Sequence, residues 1–452
     1  MHRILLTVCY ILFFNFVWAQ DDSIFIRKLA DEILTNSKAY SNLHTLTKSV
    51  GARLSGSPQT YKAEEWGKRA LTEAGADKVY LQQCKIPHWV RGGKDEGKLI
   101  VGGKETPLSI IALGNSVATG AKGITAPAIL INSWDELEQK KNEIKGKIVF
   151  YNYKFNPRFI HVFKAYGDAN SYRTKGASRA AQYGAVATVV RSMSESTNNY
   201  PHTGAMIYND SFPKIPTLAV GLWDADKIAA AIQHDKNVSI YVKTNAHALP
   251  DTIGYNVIGE WKGTEFPDEY ITVGGHLDSW DPAEGAHDDG AGCVHSIEVL
   301  RSLKAVGYRP KHTIRIVLFS DEENGGGGSS KYISEAKNEK HIFALESDGG
   351  GFTPRGFSLG ASADRLEKAR QWIPLLQPYG VYQFTADGGG ADVDSLYIKL
   401  NVPVGELVPD SQRYFDLHHA ANDIFENVNK RELELGAVNM AALIYLVDKY
   451  GL

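Results

Sequence analysis

The sequence predicts an α/β protein, with a mostly parallel, mixed sheet flanked by helices and an inserted β-rich domain. Three features of its 452 residues lead there. The chain opens with helices followed by strands, changes to short β-rich pieces from about Thr119 to Ala246, and resumes longer strand and helix units from Asp251. Strands alternating with helices of this length build largely parallel sheets covered on both faces. In such sheets the site lies beyond the carboxyl ends of the strands. The expected divisions are a signal peptide over 1–19, a catalytic domain in two parts over 20–118 and 247–452, and the insert over 119–246.

Met1 to Ala19 carries His2 and Arg3, then an apolar run, then small or apolar residues at Val17 and Ala19. This is the pattern of a secretory signal peptide cut after Ala19. The run Ile4–Trp18, about 15 residues, is shorter than the roughly 20 a spanning helix needs, and Asp21 and Asp22 follow directly. A secreted or periplasmic protein without stable membrane insertion is expected. Ile24, Ile26, Leu29, Ile33 and Leu34 are then spaced as in a helix over Asp21–Ser37. Ser57 and Pro58 supply an N-cap and first-turn proline for a second helix that Gly75 ends. Strand-like runs follow at Lys78–Ile86, Lys98–Val101 and Ser109–Leu113.

Within the insert the pattern gives strands at Ala128–Ile131, Lys147–Tyr153, Ala185–Arg191, Thr217–Val220 and Val238–Thr244. Helices are expected at Trp134–Lys141, Ser178–Tyr183 and Trp223–Gln233. His161, His202 and His234 are widely separated there, with no carboxylate at ligand spacing, so the insert is read as non-catalytic. Beyond it, strands at Tyr270–Gly274, Thr313–Phe319 and Ile342–Glu346 alternate with helices at Ala291–Leu303 and Ser329–Ala336.

Composition narrows the function. With 43% hydrophobic and 22% charged residues the chain has the make-up of a globular protein. A balance of 49 basic against 52 acidic residues, without a Lys/Arg-rich block, leaves no electrostatic footprint for nucleic acid or an anionic membrane. Cys9 lies in the leading apolar run, which leaves Cys84 and Cys293. Two cysteines do not make a disulfide framework, and their pairing is left open.

Polar residues gather at the strand ends: GGHLDSWD after the first strand beyond the insert, AHDDGAG before the next helix, SDEENGGGG after the second strand and ESDGG after the third. His, Asp and Glu delivered to one rim suit a divalent metal held by imidazole and carboxylate. YFDLHHAAND supplies a further contribution. The surplus of ligands argues for two metals sharing a carboxylate, with one acidic residue left free to move a proton. The competing reading of any one carboxylate is a solvated strand end or a helix cap, as for Asp288 before Gly290. Gly325–Gly328 and Gly388–Gly390 lack the residues of a phosphate loop and are read as tight turns near a ligand. No Gly-x-Ser-x-Gly elbow is present, and His287, His295 and His418 are read as spare surface or supporting groups.

These five motifs, in this order, resemble the carboxypeptidase Q-like branch of the co-catalytic zinc aminopeptidase-like metallopeptidases, over nearly the whole chain after residue 19. The resemblance implies a protease-associated insert, a homodimer and two zinc ions per chain. It implies that His276 and Asp348 serve one zinc, Glu323 and His419 the other, and that Asp288 bridges both. His419 is preferred over His418 because it stands four residues before Asp423. Glu322 would be the general base, with Asp278 orienting His276. A cis bond is implied between Asp288 and Asp289. Ala420 to Ile424 departs from the family pattern, which often has polar residues there and Thr after the Asp. The implied activity is that of an exopeptidase cleaving dipeptides or short peptides through a metal-bridging hydroxide, with Tyr414 near the oxyanion and Gly389 and Asp392 near a substrate terminus. The alternatives are an inactive binding or receptor-like module on the same fold and a single-zinc acyltransferase resembling glutaminyl cyclases; the filled ligand set argues against both.

Overall fold

The structure is a computed structural model describing residues 21–235 and 237–452; the expected signal peptide over 1–19 lies outside the described residues. A helix spans 21–36 and buries Ile26, Leu29 and Ile33, while Ile24 points to solvent. The helix Pro58–Glu73 is capped by Ser57, whose Oγ accepts from the Thr60 N–H, and the chain leaves it through Gly75 at φ +95°.

The main sheet has eight strands in the order Lys78–Val90, His247–Trp261, His312–Phe319, Phe266–His276, Lys340–Glu346, Val404–Pro409, Pro354–Gly360 and Gln383–Thr385. Its three central pairings, from His312–Phe319 through Phe266–His276 and Lys340–Glu346 to Val404–Pro409, are parallel. The pairings that flank them on each side are antiparallel, as a mixed sheet requires. On one face lie the helix over 21–36, Ala291–Ala305 and the 21-residue Lys430–Tyr450, around a core that includes Leu300, Leu443 and Phe343. On the other face Gly327–Ala336 and Asp394–Leu400 cover Val317, Phe319 and Val404.

Strand His247–Trp261 ties the part of the chain before the second sheet to the part after it by pairing along most of Lys78–Val90. Sequence reasoning passed over it because Pro250, Gly254 and Gly259 interrupt its pattern. Those glycines are close approaches: a Cβ on Gly259 would lie 3.1 Å from Leu71 of the covering helix, and one on Gly254 2.7 Å from Ile86.

A second sheet also has eight strands, in the order Lys104–Pro107, Glu96–Val101, Val238–Lys243, Ile124–Ile131, Ile148–Tyr151, Ala187–Arg191, Thr217–Val220 and Ile110–Ala112. The strands expected at Lys98–Val101 and Ser109–Leu113, before the anticipated boundary at 118/119, therefore belong to this second sheet. The reason lies in the edge pairings, because Glu96–Val101 pairs with Val238–Lys243 and Ile110–Ala112 with Thr217–Val220. Helices Val162–Ala169 and Ser171–Thr174, which the sequence reading did not draw, lie between strands Ile148–Tyr151 and Ala187–Arg191 of this sheet, and the first packs Ala165 and Ala169 in one cluster with Tyr414 and Phe415. Cys84 and Cys293 are both buried and unpaired.

Glu64 faces the main sheet, 3% exposed, and accepts from the Tyr255 N–H at 2.9 Å. Burial pushes its carboxyl up to about 7. Because the folded state holds this proton more tightly, the associated stability is present at low pH and is lost as pH rises through about 7. Glu64→Gln is expected to match the parent near pH 4 and to exceed it by about 2 kcal/mol at pH 8. Denaturant unfolding at both pH values checks this.

Candidate metal centre

Three neighbouring parallel strands end at one rim. Phe266–His276 delivers His276, His312–Phe319 leads into Asp321, Glu322 and Glu323, and Lys340–Glu346 leads into Asp348. Asp288 comes from the irregular turn Ala286–Gly290, where the Asp288–Asp289 bond is cis; the helix Ala291–Ala305 starts from Gly290 with no side-chain cap, and the Asp288 carboxylate faces His276 and His419 instead. His419 follows the turn Tyr414–Asp416 and stands at φ +60°.

The five expected ligands converge. His276 Nε2 lies 3.2 Å from Asp288 Oδ1 and 3.2 Å from Asp348 Oδ1. His419 Nε2 lies 3.3 Å from Asp288 Oδ2 and 3.0 Å from Glu323 Oε2. Asp288 thus presents one oxygen to each imidazole. Asp288 Oδ2 and Glu323 Oε1 are buried and receive no hydrogen bond. His418 stacks on His419 at 3.5 Å between centroids, with its Nε2 3.8 Å from Asp288 Oδ2. His419 has the shorter contacts of the two.

The electrostatics ask for positive charge. Burial disfavours a charged His419, yet Glu323 and Asp288 hold it up at about 9. Burial likewise opposes protonation of His276, and Asp348 and Asp288 override it. Asp288 is raised by burial but held well below the usual carboxylate range by His276 and His419. Buried carboxylates at such distances need protons or metal ions between them. Imidazole and carboxylate together are a donor set that suits zinc.

The supporting residues are as organised as the ligands. Asp278 accepts from the backbone N–H groups of Glu322 (3.1 Å) and Glu323 (3.3 Å) and from Ser55 Oγ (3.0 Å). Its carboxylate is 3.7 Å from His276 Nδ1, whereas its carbonyl oxygen is at 3.1 Å. Asp423 accepts from the His287 and Asp288 N–H groups, and Asp289 from those of His276 and Gly292. Arg53, fully buried, donates to the carbonyls of Leu277, Glu284 and Gly285 and so joins the loop after His276 to the turn bearing Asp288.

Glu322 makes no ion pair among the described residues. Burial pushes its carboxyl up, and Asp348, Glu323 and Asp392 add to that. Tyr414 is buried against Phe163 and Phe415, and burial together with Asp288 and Asp348 keeps its phenol protonated. Asp392 is 1% exposed with both carboxylate oxygens lacking a hydrogen bond, and burial raises it to about 7. Gly389 is a packing position, where a Cβ would lie 2.7 Å from Val404.

The remaining histidines and the β-rich segment pack around the centre. Of the two roles expected for His287, His295 and His418, surface or supporting, their burial leaves the supporting one. Burial pushes His287 and His295 down to about 4, leaving neutral rings that bond to Gly351 N–H and Ser347 Oγ respectively. The β-rich segment lies against the loop that carries His419. His202 is buried, His419 Nδ1 faces Thr203 O at 3.3 Å, and Arg173 Nη1 lies 3.5 Å from the same Nδ1. No sequence signal marked these residues, because a backbone carbonyl and a lone arginine have no spacing signature. The cavity beside the ligands is lined by Trp280, Pro282, Asp288, Glu323, His419 and Asp423.

The sequence profile of peptidase family M28 matches residues 256–444. Human carboxypeptidase Q is 35% identical over 413 residues, 91% of this chain and 85% of that protein. A crystal structure of a peptidase M28 precursor from Shewanella amazonensis SB2B superposes with a TM-score of 0.91 at 32% identity, covering 95% of this chain and 97% of the other. A zinc aminopeptidase from Bacillus subtilis shares the fold, with a TM-score of 0.64 at 20% identity over 90% of this chain and 93% of the other. The chain belongs to peptidase family M28.

Proposed function

We propose that the protein is an exported di-zinc exopeptidase that cleaves dipeptides or short peptides. The observation that carries this is Asp288, whose two oxygens face two imidazoles at 3.2 and 3.3 Å with Asp348 and Glu323 completing each side. His276, Asp288 and Asp348 would hold one zinc and Asp288, Glu323 and His419 the other; the bound ions would supply Lewis acidity toward water and the scissile carbonyl.

The remaining steps belong to the chain's own side chains. Glu322, without an ion pair among the described residues, takes the proton of the attacking water and returns it to the leaving amine. Its backbone is fixed by Asp278, which also fixes that of Glu323, so base and ligand share one anchor. The Tyr414 phenol, kept protonated, donates toward the oxygen where negative charge develops. Similarity to carboxypeptidase Q over most of the chain supports peptides as substrates, and the zinc aminopeptidase with the same fold supports the metal. Among the described residues no helix is long and apolar enough to cross a membrane, and the leading segment supports export.

Glu322→Gln is expected to lower kcat on a dipeptide by about 10²–10⁴-fold while unfolding at the parent temperature. Full activity would remove Glu322 from the base role. Tyr414→Phe is expected to lower kcat by about 10²-fold with little change in KM, and unchanged steady-state kinetics would remove it from the site.

A further inference from the structure

The two imidazoles of the centre are held from behind in different ways. His276 Nδ1 faces the carbonyl of Asp278 in its own loop, at 3.1 Å. His419 Nδ1 faces Thr203 O at 3.3 Å, across 216 residues of sequence, and the Thr203 N–H donates back to His419 O at 2.9 Å. His419 stands at φ +60°, a conformation that a residue other than glycine keeps only where its surroundings enforce it. That pair of contacts grips the residue at its carbonyl and at its ring.

The segment around Thr203 is itself held by the β-rich unit. Thr203 Oγ1 donates to Ala112 O at 2.9 Å, and the Gly114 N–H donates to Gly204 O at 3.0 Å. Gly204 has φ +125°, and a Cβ there would lie 2.5 Å from Arg173 Nη1 and 2.6 Å from His419 Nδ1. Gly114 is equally tight, since its Cβ would overlap the ring of Trp280, which packs 5.9 Å from the His419 ring. Arg173 is 6% exposed, donates to Tyr166 OH at 2.6 Å, and forms no ion pair with a carboxylate among the described residues. It fills the space behind His419.

A metal-bound imidazole depends on the hydrogen bond at its other nitrogen for tautomer and ring orientation. We infer that Thr203, Gly204 and Arg173 of the β-rich unit are positioning residues for His419, so that the Glu323/His419 metal subsite is held by the docking of that unit whereas the His276/Asp348 subsite is not. The inference rests on the proposed reading of His419 as a ligand, and it makes the two subsites unequal in what sustains them.

The test is zinc release from the full-length, zinc-loaded protein into a colorimetric chelator, followed for the parent, Gly204→Ala, Arg173→Met and Gly167→Ala. Gly167 sits in a helix of the same unit with open space at its Cβ position, and serves as the control. In Gly204→Ala and Arg173→Met one of the two ions is expected to leave about 10–100-fold faster, with the second at the parent rate and the control like the parent. Release of both ions at parent rates, or equal acceleration of both, would overturn the inference. Should Gly204→Ala not fold, Arg173→Met decides by the same criterion. A parent protein that holds fewer than two zinc ions would instead remove the two-metal reading, and the inference with it.

Discussion

Asp288 sits between two imidazoles in a site crowded with buried carboxylates, and most of the local structure serves to keep it there. Its backbone and that of His287 are held by Asp423, the backbone of His276 by Asp289, and the loops carrying Asp288 and His276 by one buried guanidinium, Arg53. Burial alone would drive these acids to the neutral state. What keeps Asp288 ionised is positive charge on both sides, and the paired imidazoles supply it through protons or through metal ions. The geometry is costly unless the cavity receives cations, which is why a metal centre accounts for it better than a structural network does.

Parallel strands explain why so little chain is needed to assemble this. Phe266–His276 lies between His312–Phe319 and Lys340–Glu346, so three carboxyl ends open on the same side within two strand spacings. The strand end itself places His276, loops of a few residues place Glu323 and Asp348, the turn before the next helix brings Asp288, and His419 comes from farther along the chain.

Much of this was legible in the sequence because it depended on local pattern. The capped helix at Ser57–Pro58, the apolar strands ending in His276, Phe319 and Glu346, and the cluster of acids after each of them are all periodicity or spacing. Strand His247–Trp261 was not, since Gly259 and Gly254 serve close approaches to Leu71 and Ile86 that only the folded state reveals, and Pro250 falls at the register shift opposite Ile86 and His88. The early strands of the second sheet were assigned to the first for a similar reason: Glu96–Val101 and Ile110–Ala112 find their partners more than a hundred residues later. The contacts of Thr203 and Arg173 with His419 were illegible because they use a carbonyl and a single cation far away in sequence.

The central claim, that Asp288 organises two metal ions for peptide hydrolysis, is tested most directly by metal analysis of the purified protein. Dipeptide cleavage is followed beside it, before chelation, after chelation and after zinc is restored. The account predicts two zinc ions per chain, loss of cleavage on chelation and its return with zinc. One zinc ion or none, or cleavage that survives their complete removal, would contradict it.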